Sequence, residues 1–181
     1  MSGTRELPRA FHDHVIVFDG AMGSLLLERG ASHTRPFEEL NLTSPYLVCQ
    51  AHADYIRAGA DAIETNTFAA NRFRLESYGL GDMAYEISRQ GARLARDVAG
   101  SGVIVAGSIG PLGDLEMACA MVESAAEFCD LPIICQFAVG MDLTTKSGDT
   151  VDDIAVRMAG LPVSAVGLNC SVGPEQTLRA V

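Results

Sequence analysis

Six polar residues stand where short apolar runs end. Asp19 follows residues 14–18, Asn66 and Thr67 end the run that begins at Ala62, and Ser108 follows 103–106. Asn169 and Cys170 follow 164–168. A carboxylate can hold an ammonium group, amides and hydroxyls can orient polar ligand atoms, and a thiolate can attack or bind a metal. Small polar residues also open loops for purely local reasons. Burying such groups without partners is costly, however, so their recurrence after four separate runs points to one shared site.

The elements that must position these residues form a βα repeat. Strands are expected at 14–18, 62–67, 103–106, 132–139 and 164–168. Helices are expected at 45–58, 82–98, 115–129 and 149–159, with a last one starting near Pro174. Ser44 before Pro45 is a helix-start signal and Gly59 a stop. Either Asp149 or Thr150 is the expected cap of its helix. Nearly continuous apolar strands separated by helices indicate a parallel sheet covered on both faces. Two α/β architectures compete, the (β/α)8 TIM-type barrel and the doubly wound open sheet. No GxGxxG motif follows a strand, which counts against a dinucleotide-binding sheet. Polar residues gathered at C-terminal strand ends favour the barrel, whose active sites lie there. Five strands in 181 residues make only a partial barrel of about five βα units.

Composition sets outer limits. The net charge of −10 disfavours nucleic acid and anionic membrane surfaces as partners. No apolar run is long enough for a membrane helix, and residues 1–14 lack the pattern of a secretory signal. The expected location is cytoplasmic. Five cysteines, Cys49, Cys119, Cys129, Cys135 and Cys170, include no CxxC pair. The odd count argues against a disulfide framework. Cys49, Cys119, Cys129 and Cys135 read as core, as do Met117, Met121 and Met158. His12, His14, His33 and His52 read as surface or packing residues.

Four motifs then carry a family resemblance. They are residues 17–26 (VFDGAMGSLL), Gly59-Ala60-Asp61 with 65–68 (TNTF) and Asn71, 107–111 (GSIGP), and 167–171 (GLNCS). In this order they resemble the homocysteine-binding domain of homocysteine S-methyltransferases. That family includes methionine synthase, betaine-homocysteine methyltransferase and bacterial proteins in which the domain precedes a methylenetetrahydrofolate reductase. The resemblance implies a (β/α)8 barrel and zinc-dependent methyl transfer to the homocysteine thiolate, giving methionine. It implies Zn2+ held by three cysteines, of which Cys170 would be the first. Asp19 with the backbone at Gly20 and Ala21 would hold the substrate's amino group, and Gly20 and Gly23 would let backbone approach it. Asn66, Thr67 and Ser108 would line the same face, and Asn169 would support the metal ligand. The partners implied are homocysteine and a methyl donor, with folate or cobalamin among the donors the family uses. The bacterial two-domain proteins add a C-terminal methylenetetrahydrofolate reductase domain in the parent protein.

Two departures from the family pattern set the expectations for activity. The Cys-Cys pair that supplies the family's other zinc ligands is absent from the sequence. Asp114 runs directly into Leu115, where the family has a helix and a strand ending in Glu-Thr. Glu64-Thr65 belongs to the second strand and does not replace that pair. The expectation is therefore one homocysteine-binding domain over 1–181 that is incomplete, lacking one βα unit at 114–115 and the units after 181. Such a chain would be inactive alone and active only within a complete parent. Two alternatives stay open: a non-catalytic fragment or binding remnant of the family, and an unrelated TIM-barrel enzyme.

Overall fold

The computed structural model describes residues 6–110, 114–128, 130–170 and 172–180. The chain divides into two compact units, residues 10–111 and residues 112–181 together with 1–9. Both are built from parallel strands and helices.

The unit of residues 10–111 holds α1 (Ala10–Asp13), α2 (Met22–Glu28), α3 (Leu40–Thr43), α4 (Pro45–Arg57), β1 (Ala62–Glu64), α5 (Arg72–Glu76), α6 (Ala84–Ala99) and β2 (Ile104–Ala106). β1 and β2 are parallel, with Ala62 opposite Ile104 and Glu64 opposite Ala106. The strand expected at 14–18 is reduced to a single parallel bridge between Phe18 and Ala62. The reason lies in the bonding upstream of it. The Val17 N–H donates to the Asp61 carboxylate rather than to a neighbouring strand.

Two helices brace this sheet, and both follow their sequence signals. α4 starts with Pro45 in its first turn and stops before Gly59, whose φ of +103° suits glycine. Ser44 precedes it as expected, but its side chain makes no capping bond. α4 buries Val48, Ala51 and His52, the spacing of one helix face. α6 buries Ile87, Gly91, Leu94, Ala95 and Ala99. Ala95 and Ala99 pack with Ile63 of β1, with Val105 of β2 and with Val103 just before β2. Gly91 is sterically required there. A Cβ on it would lie 2.5 Å from Asn41 Nδ2 and 2.7 Å from Thr67 Cγ2.

The second unit holds α7 (Leu115–Phe128), β3 (Ile134–Phe137), α8 (Val151–Ala159), β4 (Ala165–Leu168) and α9 (Pro174–Ala180). β3 and β4 are parallel, with Ile134 opposite Ala165 and Phe137 opposite Leu168. Thr150 caps α8 through a reciprocal box. Its hydroxyl accepts from the Asp153 N–H at 3.1 Å, and the Asp153 carboxylate accepts from the Thr150 N–H at 2.9 Å. The core joins Cys119 and Val122 of α7, Cys135 and Phe137 of β3, and Ile154 and Met158 of α8. Met158 is fully buried, as expected, but Met117 is half exposed. The buried stripe of α7 is Leu115, Ala118, Cys119 and Val122, and Met117 falls off that face. Ile134 and Gln136, on the other face of β3, are exposed.

Candidate functional site

The expected site residues fall into both units. Asp19, Gly20, Ala21, Asn66, Thr67 and Ser108 belong to the first, and Asn169 and Cys170 to the second. In both, they follow the C-terminal ends of parallel strands, or of the bridge that replaces one.

Asp19 sits one residue past the Phe18 bridge. Its N–H donates to the Ala62 carbonyl at 3.0 Å, as a parallel ladder requires. The next bond changes character. The Glu64 N–H donates to the Asp19 carboxylate, 3.1 Å from each oxygen. The side chain occupies the place of a backbone carbonyl in a regular ladder, which fixes the carboxyl at the strand ends. Burial raises the Asp19 pKa from 3.8 to about 6. The Glu64 N–H works against that rise, and the Glu64 charge adds to it.

Around it, Glu64 and Ser108 meet through the Ser108 hydroxyl, 3.4 Å from Glu64 Oε2. Ser108 is held from both sides of its backbone. Its N–H donates to Thr65 Oγ1 at 2.9 Å, and its carbonyl accepts from Thr67 Oγ1 at 2.7 Å. The Thr65 and Thr67 hydroxyls also bond each other at 2.6 Å. These contacts tie the ends of β1 and β2 together. Pro111, which closes the motif containing Ser108, lies outside the described residues.

Asn66 is buried and committed to packing. Its amide donates to the Phe37 carbonyl at 2.9 Å and to Asn41 Oδ1 at 3.0 Å. Asn41 in turn donates to the carbonyls of Asn66 and Ile87. Gly20 and Gly23 are explained locally. A Cβ on Gly20 would press on the Tyr55 ring at 3.1 Å, and one on Gly23 on Phe37 at 3.0 Å. Gly20 and Ala21 are exposed. Tyr55 has its phenol pKa raised by burial, then by the charges of Asp19 and Glu28.

In the second unit the Asn169 N–H continues the ladder to the Phe137 carbonyl at 3.0 Å. Its side-chain amide donates to Gln136 Oε1 at 3.2 Å. Cys170 follows with an exposed side chain and a φ of +60°. That left-handed conformation costs a residue with a Cβ about 1 kcal/mol, and such strain gathers at functional positions. Ser171 lies outside the described residues. Cys119 and Cys135 are buried in the core and Cys49 is half-buried. Burial pushes the Cys135 thiol upward. Cys129 lies outside the described residues. Among the described residues no group of three or more His, Cys, Asp or Glu could hold a metal ion. Among the described residues, no three thiolates gather into a zinc site around Cys170.

Glu64 and Tyr55 are the two site-lining residues that sequence reasoning leaves out. The available signal for Glu64 is strand alternation: Ile63 enters the core with Ala95 and Ala99, so Glu64 points to the opposite face.

The family model for homocysteine S-methyltransferase matches residues 16–118 and 113–181. The chain belongs to the homocysteine S-methyltransferase family. The methionine synthase of Mycobacterium tuberculosis is 29% identical over 219 residues, covering 90% of this chain and 18% of that protein. That of Mycobacterium leprae is 27% identical over 228 residues, covering 94% and 19%. The chain thus spans less than a fifth of the length of these curated relatives. Among solved structures, the metallated form of the homocysteine methyltransferase MmuM from Escherichia coli superposes with a TM-score of 0.80. It is 21% identical over 94% of this chain and 80% of that one. Its oxidized form gives 0.82 at 20% identity, over 94% and 78%. At these identities the structural match speaks for a shared fold. Members of the homocysteine S-methyltransferase family whose structures match are homocysteine methyltransferases, and no helix among the described residues is long and apolar enough to cross a membrane.

Proposed function

We propose that this chain carries the homocysteine-binding part of a zinc-dependent homocysteine S-methyltransferase, built as a partial (β/α)8 barrel. The carrying observation is the placement of Asp19. Its carboxyl is locked at the strand ends by the Glu64 N–H, beside the exposed backbone of Gly20 and Ala21. A carboxylate so held suits an amino acid's ammonium group, and Thr67 and Ser108 shape the surrounding strand ends. Asn66 supports the same segment from beneath, and Asn169 steadies the chain before Cys170. In the complete parent, Cys170 would be one zinc ligand, and the reaction would move a methyl group from a donor to the homocysteine sulfur, giving methionine. A folate or cobalamin donor and a reductase domain would likewise belong to that parent. Cytoplasmic residence fits its unpaired cysteines.

The incompleteness belongs to the same reading. The family match falls in two stretches that overlap at 113–118. The 219-residue alignment is longer than the 181-residue chain, so the relative carries residues that this chain lacks within the match. Both facts support a missing βα unit at 114–115. They favour a second reading beside the first, in which this chain binds a small thiol amino acid but transfers no methyl group.

Calorimetric titration with L-homocysteine, together with zinc analysis, tests the proposal. Binding that is lost in Asp19→Ala supports it, and an absence of binding with wild type overturns it. Stoichiometric zinc lost in Cys170→Ala would favour the first reading over the second.

A further inference from the structure

The loop that leaves β1, residues 65–71, is held from two sides. On one side it binds the loop after β2. Besides the threonine bonds to Ser108, the Gly110 N–H donates to the Phe68 carbonyl at 2.9 Å, and Asn71 Nδ2 donates to the Gly110 carbonyl at 3.2 Å. On the other side lies a short helical turn, Phe37–Glu39, that runs into α3. There Asn41 and Asn66 exchange amide bonds, and the Ala69 N–H donates to Glu38 Oε1 at 2.9 Å. Glu38 is only 7% exposed, and no described Lys, Arg or His forms an ion pair with it. A carboxylate is costly to bury without a cation, so a stability role alone is a poor reason for one here. Nor is Glu38 needed to hold its own turn. Arg35 does that, donating to the Glu39 carboxylate and, at 3.2 Å, to the Tyr78 carbonyl. The bond that the Glu38 carboxylate accepts goes instead to the loop at the site.

We infer that Glu38 is a positioning residue of the site: its carboxylate touches no ligand, but it fixes residues 66–69 and through them sets where Ser108 and Gly110 stand. The inference rests on the reading of these strand ends as an amino-acid thiol site. The path is short and made of hydrogen bonds, the physical means by which one position constrains another. Ala69 is tied to Glu38, and the Ala70 N–H closes a turn onto the Thr67 carbonyl at 3.0 Å. Thr67 Oγ1 then holds the Ser108 carbonyl, and the Phe68 carbonyl holds the Gly110 N–H. The two loops are also in close contact, since a Cβ on Gly110 would lie 2.3 Å from the Phe68 ring. Asn41 secures the start of the strap at Asn66, and Glu38 secures its far end at Ala69. Without the far tie, Thr67 and Phe68 keep their bonds to the β2 loop but lose the fixed point against which those bonds aim it.

The test sets Glu38→Met against Glu38→Gln. Methionine keeps the length and the burial but loses the acceptor, whereas glutamine keeps a carbonyl oxygen for the Ala69 N–H. Hydrogen exchange needs no ligand and is read first. In Glu38→Met the Ser108 and Gly110 amides should exchange about tenfold faster, the worth of one hydrogen bond. In Glu38→Gln they should stay near wild type. The Ile104 amide of the β1–β2 ladder and the amides of α6 report whether each variant keeps its fold. Calorimetric titration with L-homocysteine is read second. Glu38→Met should bind about tenfold more weakly than wild type, and Glu38→Gln should stay within about threefold. Faster exchange confined to Ala69, with Ser108 and Gly110 unchanged, would overturn the inference, because Glu38 would then hold only its immediate neighbour. It also falls if glutamine fails as badly as methionine, or if Glu38→Met binds homocysteine as wild type does. If wild type binds no homocysteine, the reading of the site falls by itself, and exchange at Ser108 and Gly110 still decides whether Glu38 positions them.

Discussion

Both carboxylate oxygens of Asp19 lie 3.1 Å from the backbone nitrogen of Glu64, so a side chain completes a ladder that backbone would normally complete. This contact has a pH signature. The Asp19 pKa is raised by burial from 3.8 to about 6, so the folded state holds its proton more tightly than the unfolded chain does. Stability from this group is fully present below pH 3.8 and is lost as pH rises to about 6. Asparagine at position 19 can still accept the Glu64 N–H and never ionises. Asp19→Asn should therefore be more stable than wild type above pH 6, by about 1 kcal/mol once solvent screening of a half-buried group is allowed for. The gap should close near pH 4. Hydrogen exchange of the β1 amides measures it, and a pH-independent difference would refute the assignment.

His52 behaves in the opposite sense. It is completely buried on α4, and no described residue gives either ring nitrogen a hydrogen-bond partner. Burial lowers its pKa from 6.5 to about 4, so the folded state disfavours the charged ring. Its contribution is present above pH 6.5 and fades as pH falls through 4. His52→Leu removes both the unpaired nitrogens and the titration. The variant should match or exceed wild type at pH 7 and gain about 2–3 kcal/mol on it by pH 4. Exchange of the α4 amides across that range decides the matter. A variant less stable than wild type at every pH would show that His52 has a partner in solution.

Cys170 carries local strain that its thiol does not require for packing. Its φ is +60° and its side chain is exposed. Glycine adopts that conformation without a Cβ clash. Cys170→Gly should stabilise the β4 end by about 1 kcal/mol, whereas Cys170→Val should destabilise it, since a β-branched residue fits poorly there. Local exchange at Asn169 reads the change. Equal stability of the two variants would mean that the turn relaxes in solution.

Much of this was legible in the sequence where the signal is local. Pro45 and Gly59 bound α4 as their sequence signals indicate, and of the two caps open for α8, Asp149 and Thr150, it is Thr150 that caps, because caps act within one turn. Long-range relations were not legible in the same way. Asn66 reads as a strand-end group, and its amide bonds Asn41, 25 residues away, a pair that no local spacing announces. Met117 sits at a helical spacing, but which stripe of α7 becomes buried depends on β3 and α8. The strand at 14–18 has the right composition. It shortens to one bridge because Asp61 captures the Val17 N–H with a side chain. Glu64 was hidden for a similar reason. Its backbone N–H is taken by the Asp19 carboxylate, 45 residues earlier, a pairing that no local spacing announces.

Gly91 should tolerate no side chain, although alanine favours helices. The propensity gain in the middle of α6 is about 1 kcal/mol. Against it, a methyl group would lie 2.5 Å from Asn41 Nδ2 and 2.7 Å from Thr67 Cγ2. Asn41 cannot retreat without releasing the carbonyls of Asn66 and Ile87. Overpacking of this kind costs about 1–3 kcal/mol, and a stranded amide adds to it. Gly91→Ala should lose net stability and loosen the exchange protection of the Thr65–Thr67 segment. A gain in α6 protection with that segment unchanged would refute the packing argument.

The exposed apolar residues along the strands predict how the isolated 181-residue chain behaves. Val15 and Val17 are exposed before the bridge, as are Ile134 of β3 and Val166 of β4. Parallel strands are ordinarily covered on both faces, and short two-stranded ladders leave unpaired edges that recruit other chains. Each unit also has its own core, and separate cores need not share one cooperative transition. The chain should therefore melt broadly by circular dichroism and form soluble aggregates on warming, and light scattering should rise with protein concentration. Replacing Val15 and Val166 by lysine should suppress the scattering without sharpening the melt, since charge blocks edge association but adds no core. A single sharp, concentration-independent transition from a monomer would refute this prediction.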